Sequence, residues 1–129
     1  MTVTAVDHIT INCRDIRKSC DFYETVLGLS RADTIDMGDH RLHLYHLPGT
    51  KLELIEYKNE QKLVQASNTD VGVYRHVALC VDDIAQALAR CEQAGCGVNL
   101  APTAIPQFGG KVVMLIVDPN GVEIELIQA

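Results

Sequence analysis

Apolar and polar residues alternate over two short stretches, Asp7-His8-Ile9-Thr10-Ile11 and Arg75-His76-Val77-Ala78-Leu79, and each reads as a half-buried β-strand. An acidic-Ile pair follows each stretch at the same distance from its histidine, Asp15-Ile16 in the first case and Asp83-Ile84 in the second. Each pair opens an amphipathic helix with the aspartate as N-cap. In the first helix Ile16, Cys20, Tyr23 and Leu27 recur at spacings of four, three and four, and Gly28 ends it. The second runs over 83–95, with Ile84, Ala87, Leu88 and Cys91 as its buried stripe and Arg90 and Glu92 towards solvent. Turn signals at Met37-Gly38-Asp39, Pro48-Gly49, Phe108-Gly109-Gly110 and Asp118-Pro119-Asn120-Gly121 then separate β-type segments. The clearest strands are 40–47, 52–57, 112–117 and 122–127. The chain therefore repeats itself. Each half reads strand, helix, strand, strand, strand, and a polar segment at 58–70 marks a linker. The expected organisation is one domain over 1–129, with a first module at about 5–57, a linker at 58–72 and a second module at about 73–129.

Alternation also sorts side chains by face. With Ile9 and Ile11 packed on the helix, His8, Thr10 and Asn12 turn to the other side. With Leu52 and Leu54 inward, Glu53 faces out beside Ile55 and Tyr57. Val77 and Leu79 likewise free His76, and Ile124 and Leu126 free Glu125. Each half thus puts one histidine and one glutamate on its helix-free face at matching strand positions. Two imidazoles and two carboxylates suit Zn, Ni, Co, Mn or Fe(II), so His8, Glu53, His76 and Glu125 are the expected ligands of one divalent metal ion. In 40–47, taking Leu42 and Leu44 as the core positions puts Arg41, His43 and Tyr45 on the pocket face as substrate contacts. By the same phase Glu56 falls off the ligand face, and Glu123 sits near its turn.

Composition narrows the class. At 129 residues and 47% hydrophobic the chain suits one compact domain. A net charge of −6, with 11 Lys and Arg scattered among acidic residues, argues against nucleic acid as a partner. No run of about 18 apolar residues occurs and the first residues carry no signal pattern, so a soluble cytoplasmic protein that does not enter the membrane is expected. The cysteines, 5 in number and without a Cys-x-x-Cys pair, read as small hydrophobes in a reducing compartment.

Several segments together resemble the vicinal oxygen chelate superfamily, which includes glyoxalase I, methylmalonyl-CoA epimerase, extradiol dioxygenases and the fosfomycin and bleomycin resistance proteins. They are His8-Ile-Thr-Ile-Asn, Phe22-Tyr23 with Leu27-Gly28-Leu29, Leu52-Glu53-Leu54, His76-Val-Ala-Leu with Val81-Asp82-Asp83, and Asp118-Pro119-Asn120-Gly121 leading to Ile124-Glu125-Leu126. The resemblance implies an α+β fold of two βαβββ modules forming a cupped mixed sheet around a metal site. It also implies a homodimer, whose modules close within one chain or exchange between two. The order His, Glu, His, Glu is similar to that of glyoxalase I, which implies a metal-dependent lyase or isomerase acting on a small molecule with vicinal oxygens. In such chemistry an enediolate forms while a carboxylate moves a proton between adjacent carbons. Glu125 takes the base role by that resemblance, with Glu53 as its symmetric partner. Asn12 stands where glyoxalase I has a glutathione-binding arginine, and Tyr57 stands where it has an asparagine; both are expected substrate contacts. The alternatives are an epimerase of the methylmalonyl-CoA type, an extradiol-type dioxygenase, and a non-catalytic resistance or binding protein.

Overall fold

The computed structural model describes all 129 residues, and the chain divides into two compact units, Met1–Leu63 and Val64–Ala129. Each has the order strand, helix, three strands, and each forms one four-stranded sheet.

In the first unit β1 (Ile9–Cys13) leads into α1 (Ile16–Asp21), and β2 (Arg31–Asp36), β3 (His40–Leu47) and β4 (Thr50–Tyr57) follow. The sheet order is β1-β4-β3-β2, with β1 parallel to β4 and the other pairs antiparallel. Asp15 caps α1 as its sequence position predicts, its carboxylate accepting the Lys18 amide at 3.3 Å. The helix does not continue in α geometry to Gly28. Phe22–Val26 form a π-helical turn, closed by the Leu27 amide donating to the Phe22 carbonyl at 3.4 Å. Wider winding shifts the buried stripe, so that Phe22, Tyr23 and Val26 are buried and Leu27 only half so. The core on this helix-covered side is completed by Ile11, Cys13, Cys20, Tyr45, Leu52 and Leu54.

In the second unit β5 (Val77–Cys80) leads into α2 (Ile84–Ala94), and β6 (Gly97–Ile105), β7 (Lys111–Val117) and β8 (Glu123–Gln128) follow. The order β5-β8-β7-β6 repeats that of the first unit, with β5 parallel to β8. Asp83 caps α2 by accepting the Gln86 amide at 2.9 Å. Gly95 ends the helix at φ 68, in the left-handed conformation that a Cβ disfavours. Ile84, Ala87 and Cys91 are buried along α2, together with Val113, Met114, Ile116, Ile124 and Leu126 of the sheet. The turn before β8 is organised by Asp118, which is 4% exposed. Its Oδ1 accepts the amides of Asn120 and Val122, both at 2.8 Å.

Candidate metal-binding site

Pairing register decides which side chains share a face. In the first unit Thr10 lies beside Glu53 and Asn12 beside Ile55, so the face of β1 that begins at His8 is also the face of Glu53. His8 stands just ahead of β1, and its Nε2 lies 3.4 Å from Glu53 Oε2. Its Nδ1 lies 2.8 Å from Asp7 Oδ2. Bonding to His8 and the nearby Lys51 ammonium hold the Asp7 carboxyl below the usual range. The second unit repeats the motif. Glu125 is in register with Ala78, two residues beyond His76, and His76 Nε2 lies 2.8 Å from Glu125 Oε2. Both glutamate side chains are 13% exposed, whereas His8 is 40% and His76 25% exposed, so the imidazoles stand nearer the surface than their acidic partners.

The other expected contacts divide. Asn12 is exposed at the end of β1. Tyr57 is in register with His40, their ring centroids 5.3 Å apart, on the face that carries Glu53 and Ile55. Arg41, His43 and Tyr45 do not belong there, and their placement on the pocket face is corrected. Leu44 pairs with Glu53 and Leu42 with Ile55, whereas His43 pairs with Leu54 and Tyr45 with Leu52. The two leucines therefore share the glutamate's face, and the polar and aromatic residues of β3 lie on the helix-covered face. Tyr45 and His43 are buried there while Arg41 keeps its side chain half-exposed, and the Tyr45 hydroxyl and His43 Nε2 find polar partners. Tyr45, 0% exposed, donates its hydroxyl to Glu24 Oε1 at 2.9 Å and accepts from Arg31 Nη2 at 3.1 Å. Burial pushes its phenol above the ordinary value. His43 Nε2 lies 3.1 Å from Glu56 Oε1, and Arg41 Nη1 reaches the same oxygen at 3.5 Å. Glu56 is thus off the ligand face, as its position in β4 predicts.

One residue of the site was missed. Glu123 is placed by sequence near its turn, yet its carboxylate is buried beside His76, with Oε1 3.5 Å from His76 Nδ1. The available signal was its position two residues before Glu125, on the same strand face.

Each unit therefore supplies one imidazole nitrogen and one carboxylate oxygen, and no group of three or more His, Cys, Asp and Glu side chains is gathered in a metal-binding arrangement. As a donor set the two pairs fit a borderline divalent ion, which takes neutral imidazole and carboxylate ligands. The five cysteines form no disulfide and lie outside both pairs.

The model of the glyoxalase/bleomycin resistance protein/dioxygenase superfamily matches residues 5–126. The chain belongs to this superfamily. Its similarity to the lactoylglutathione lyase of Salmonella typhimurium is 32% identity over 127 residues, covering 95% of this chain and 90% of that one. The match to an uncharacterised Bacillus subtilis protein, YwbC, is 31% over 129 residues, covering 95% and 96% of the two chains. The fold is that of solved glyoxalase-superfamily structures. A glyoxalase/bleomycin resistance protein/dioxygenase domain from Frankia superposes with a TM-score of 0.82 at 17% identity, covering 99% of both chains. The trypanothione-dependent glyoxalase I of Leishmania major superposes with 0.76 at 22% identity, covering 94% of this chain and 84% of that one. No helix is long and apolar enough to cross a membrane.

Proposed function

We propose that this superfamily member is a glyoxalase I-like metal-dependent lyase or isomerase, which moves a proton next to a carbonyl of a small substrate with vicinal oxygens. The observation that carries the reading is the repeated pair. His8 Nε2 faces Glu53 Oε2 at 3.4 Å and His76 Nε2 faces Glu125 Oε2 at 2.8 Å, one pair in each unit. The lactoylglutathione lyases among its relatives support the same reaction class.

His8, Glu53, His76 and Glu125 would hold one divalent ion, the two pairs coming from one chain or from two copies. Bound there, the ion would supply the Lewis acidity that makes a carbon acid beside a carbonyl ionisable near neutral pH. The chain's own residues do the rest. Glu125 takes the substrate proton at its carboxylate and returns it to the adjacent carbon, by way of an enediolate. Its side chain is 13% exposed, which keeps competing water away from the oxygen that carries the proton. Glu53, equally shielded, is its symmetric counterpart. Asn12 and Tyr57, at the ends of β1 and β4 on the Glu53 face, contact the substrate. Asn12 stands where glyoxalase I, which the chain resembles, has a glutathione-binding arginine, and a neutral amide does not supply that charge to a carboxylate.

Metal analysis tests the reading. Purified protein reconstituted with Zn, Ni, Co or Mn is expected to hold about one equivalent per chain. Less than about a tenth of an equivalent with all four metals would refute it.

A further inference from the structure

Two carboxylates are buried in this chain, those of Asp118 and Glu123. Asp118 is accounted for by its turn. Glu123 has no such role, and moving a carboxylate out of water costs several kcal/mol unless partners compensate. Its Oε2 accepts from Asn99 Nδ2 at 2.9 Å and Asn68 Nδ2 at 3.3 Å. Its Oε1 is paired with the Arg75 guanidinium and lies 3.5 Å from His76 Nδ1. Two amides and one cation thus hold the carboxylate with one oxygen turned towards the imidazole.

The imidazole has a choice to make. Arg75 Nη1 is itself 3.4 Å from His76 Nδ1, and a donor there would leave the ring proton on Nε2, the nitrogen facing Glu125. An acceptor at Nδ1 has the opposite effect: the proton stays on Nδ1 and the Nε2 lone pair is free to ligate. The first unit makes the same provision by other means. There His8 Nδ1 meets Asp7 Oδ2 at 2.8 Å, but Asp7 is 78% exposed and Glu123 only 3%.

We propose that Glu123 is the positioning residue of His76: its buried carboxylate occupies Arg75, keeps the ring proton on Nδ1, and so presents Nε2 as a ligand beside Glu125. This rests on the metal reading above. The expected consequence of Glu123→Gln is a loss of Zn or Co(II) affinity of about 10- to 100-fold, because the neutral amide both releases Arg75 and weakens the acceptor. Asp7→Asn should lose about 3-fold or less, since water replaces an exposed partner. Adding Arg75→Met to Glu123→Gln removes the competing donor and should recover part of the lost affinity. Asn99→Ala disturbs the same carboxylate without touching Oε1; it should lower the melting temperature and leave the affinity unchanged.

The tests are a Co(II) titration followed by its visible spectrum and nitrogen-15 NMR of the histidine rings in metal-free wild-type protein, which needs no variant to fold. His76 should carry a proton on Nδ1. A bare Nδ1 with the proton on Nε2 overturns the proposal, and so does a Glu123→Gln protein that binds Co(II) as tightly as wild type. An Asn99→Ala protein as weakened in metal binding as Glu123→Gln would likewise reduce Glu123 to a packing role and overturn it. Wild-type protein that binds neither metal overturns the metal reading instead, and the two failures are thereby told apart.

Discussion

Asp118→Ala should destabilise the protein by about 2–4 kcal/mol, although residue 118 carries none of the proposed chemistry. The figure follows from its bonds. Oδ1 accepts two backbone amides at 2.8 Å, those of Asn120 and Val122, and Oδ2 accepts Asn120 Nδ2 at 3.0 Å. A hydrogen bond to a charged group contributes about 1.5–3 kcal/mol net. Asn120 and Val122 are only half-buried, so water recovers part of each loss, and the two backbone bonds count at the lower end of that range. The side-chain bond to Asn120 adds little. The alanine protein keeps the backbone bonds of the turn, from Asp118 N to Val122 O at 2.9 Å and from Gly121 N to Asp118 O at 3.1 Å. Residual turn structure is therefore expected, with β8 still formed.

Asp118→Asn separates charge from geometry. An amide oxygen still serves both backbone donors, without the charge, and its NH2 group can donate to Asn120 Oδ1 once the Asn120 amide turns over. About 1–2 kcal/mol is expected, less than for alanine. Urea unfolding followed by far-ultraviolet circular dichroism reads both variants, with the m-value held as a check that the same surface unfolds. On heating, each kcal/mol should lower the melting temperature by about 4 °C for a chain of this length. An alanine variant within about 0.5 kcal/mol of wild type, or an asparagine variant no better than alanine, would refute the reasoning.

Three further outcomes are expected. Glu125→Gln should keep the fold and most metal affinity while lowering turnover by about 100-fold or more, because an amide oxygen still coordinates but accepts no proton; turnover near wild type would move the base role to Glu53. The protein should sediment as a homodimer at micromolar concentration, since the free edges of β2 and β6 and a short chain favour pairing with a second copy; a single species of monomer mass would refute this. Stability should fall as pH rises above the ordinary thiol range. Burial and the neighbouring Cys96 push the Cys91 thiol up to about 12 in the folded protein, so the unfolded chain releases that proton first and gains on the folded one; Cys91→Ala should flatten the loss in urea titrations at alkaline pH.

Legibility in the sequence followed contrast. The strand expected at 40–47 is β3 with those bounds, because turn residues close it at both ends. The two aspartate caps were readable for the same local reason. β2 could not be singled out, since all six of its residues are exposed and no apolar row marks a face. β6 contains Pro102 and slips in register twice, which an edge strand tolerates but which erases alternation. The phase of β3 was the costly error. Leu42 and Leu44 were the obvious inward residues by hydropathy alone, yet Tyr45 buries more surface and its hydroxyl is satisfied by Glu24 and Arg31. Where both faces of a strand carry residues able to be buried, alternation gives the period and leaves the phase open. In β4 and β8 aliphatic residues stand on one side against a glutamate on the other, and β1 and β5 continue the alternation set by the histidine just ahead of each, so there the phase could be read.

Membership of the superfamily fixes the fold but not the reaction, because the same fold carries a glyoxalase I and a fosfomycin resistance protein, FosX, among its solved structures. Which chemistry the fold carries depends on the side chains of the two pairs. A dioxygenase needs an iron with open positions for oxygen and substrate, which a facial set of two histidines and one carboxylate leaves; in the proposed ligand set a second carboxylate, Glu53, would take up one of them. A protein that only sequesters a ligand has no use for a shielded carboxylate next to each histidine, since burial of such a group costs stability and adds nothing to apolar binding. Proton transfer uses both features. A carboxylate 13% exposed and held 2.8 Å from an imidazole is shielded from bulk water and already oriented, which is what a base acting on a carbon acid requires.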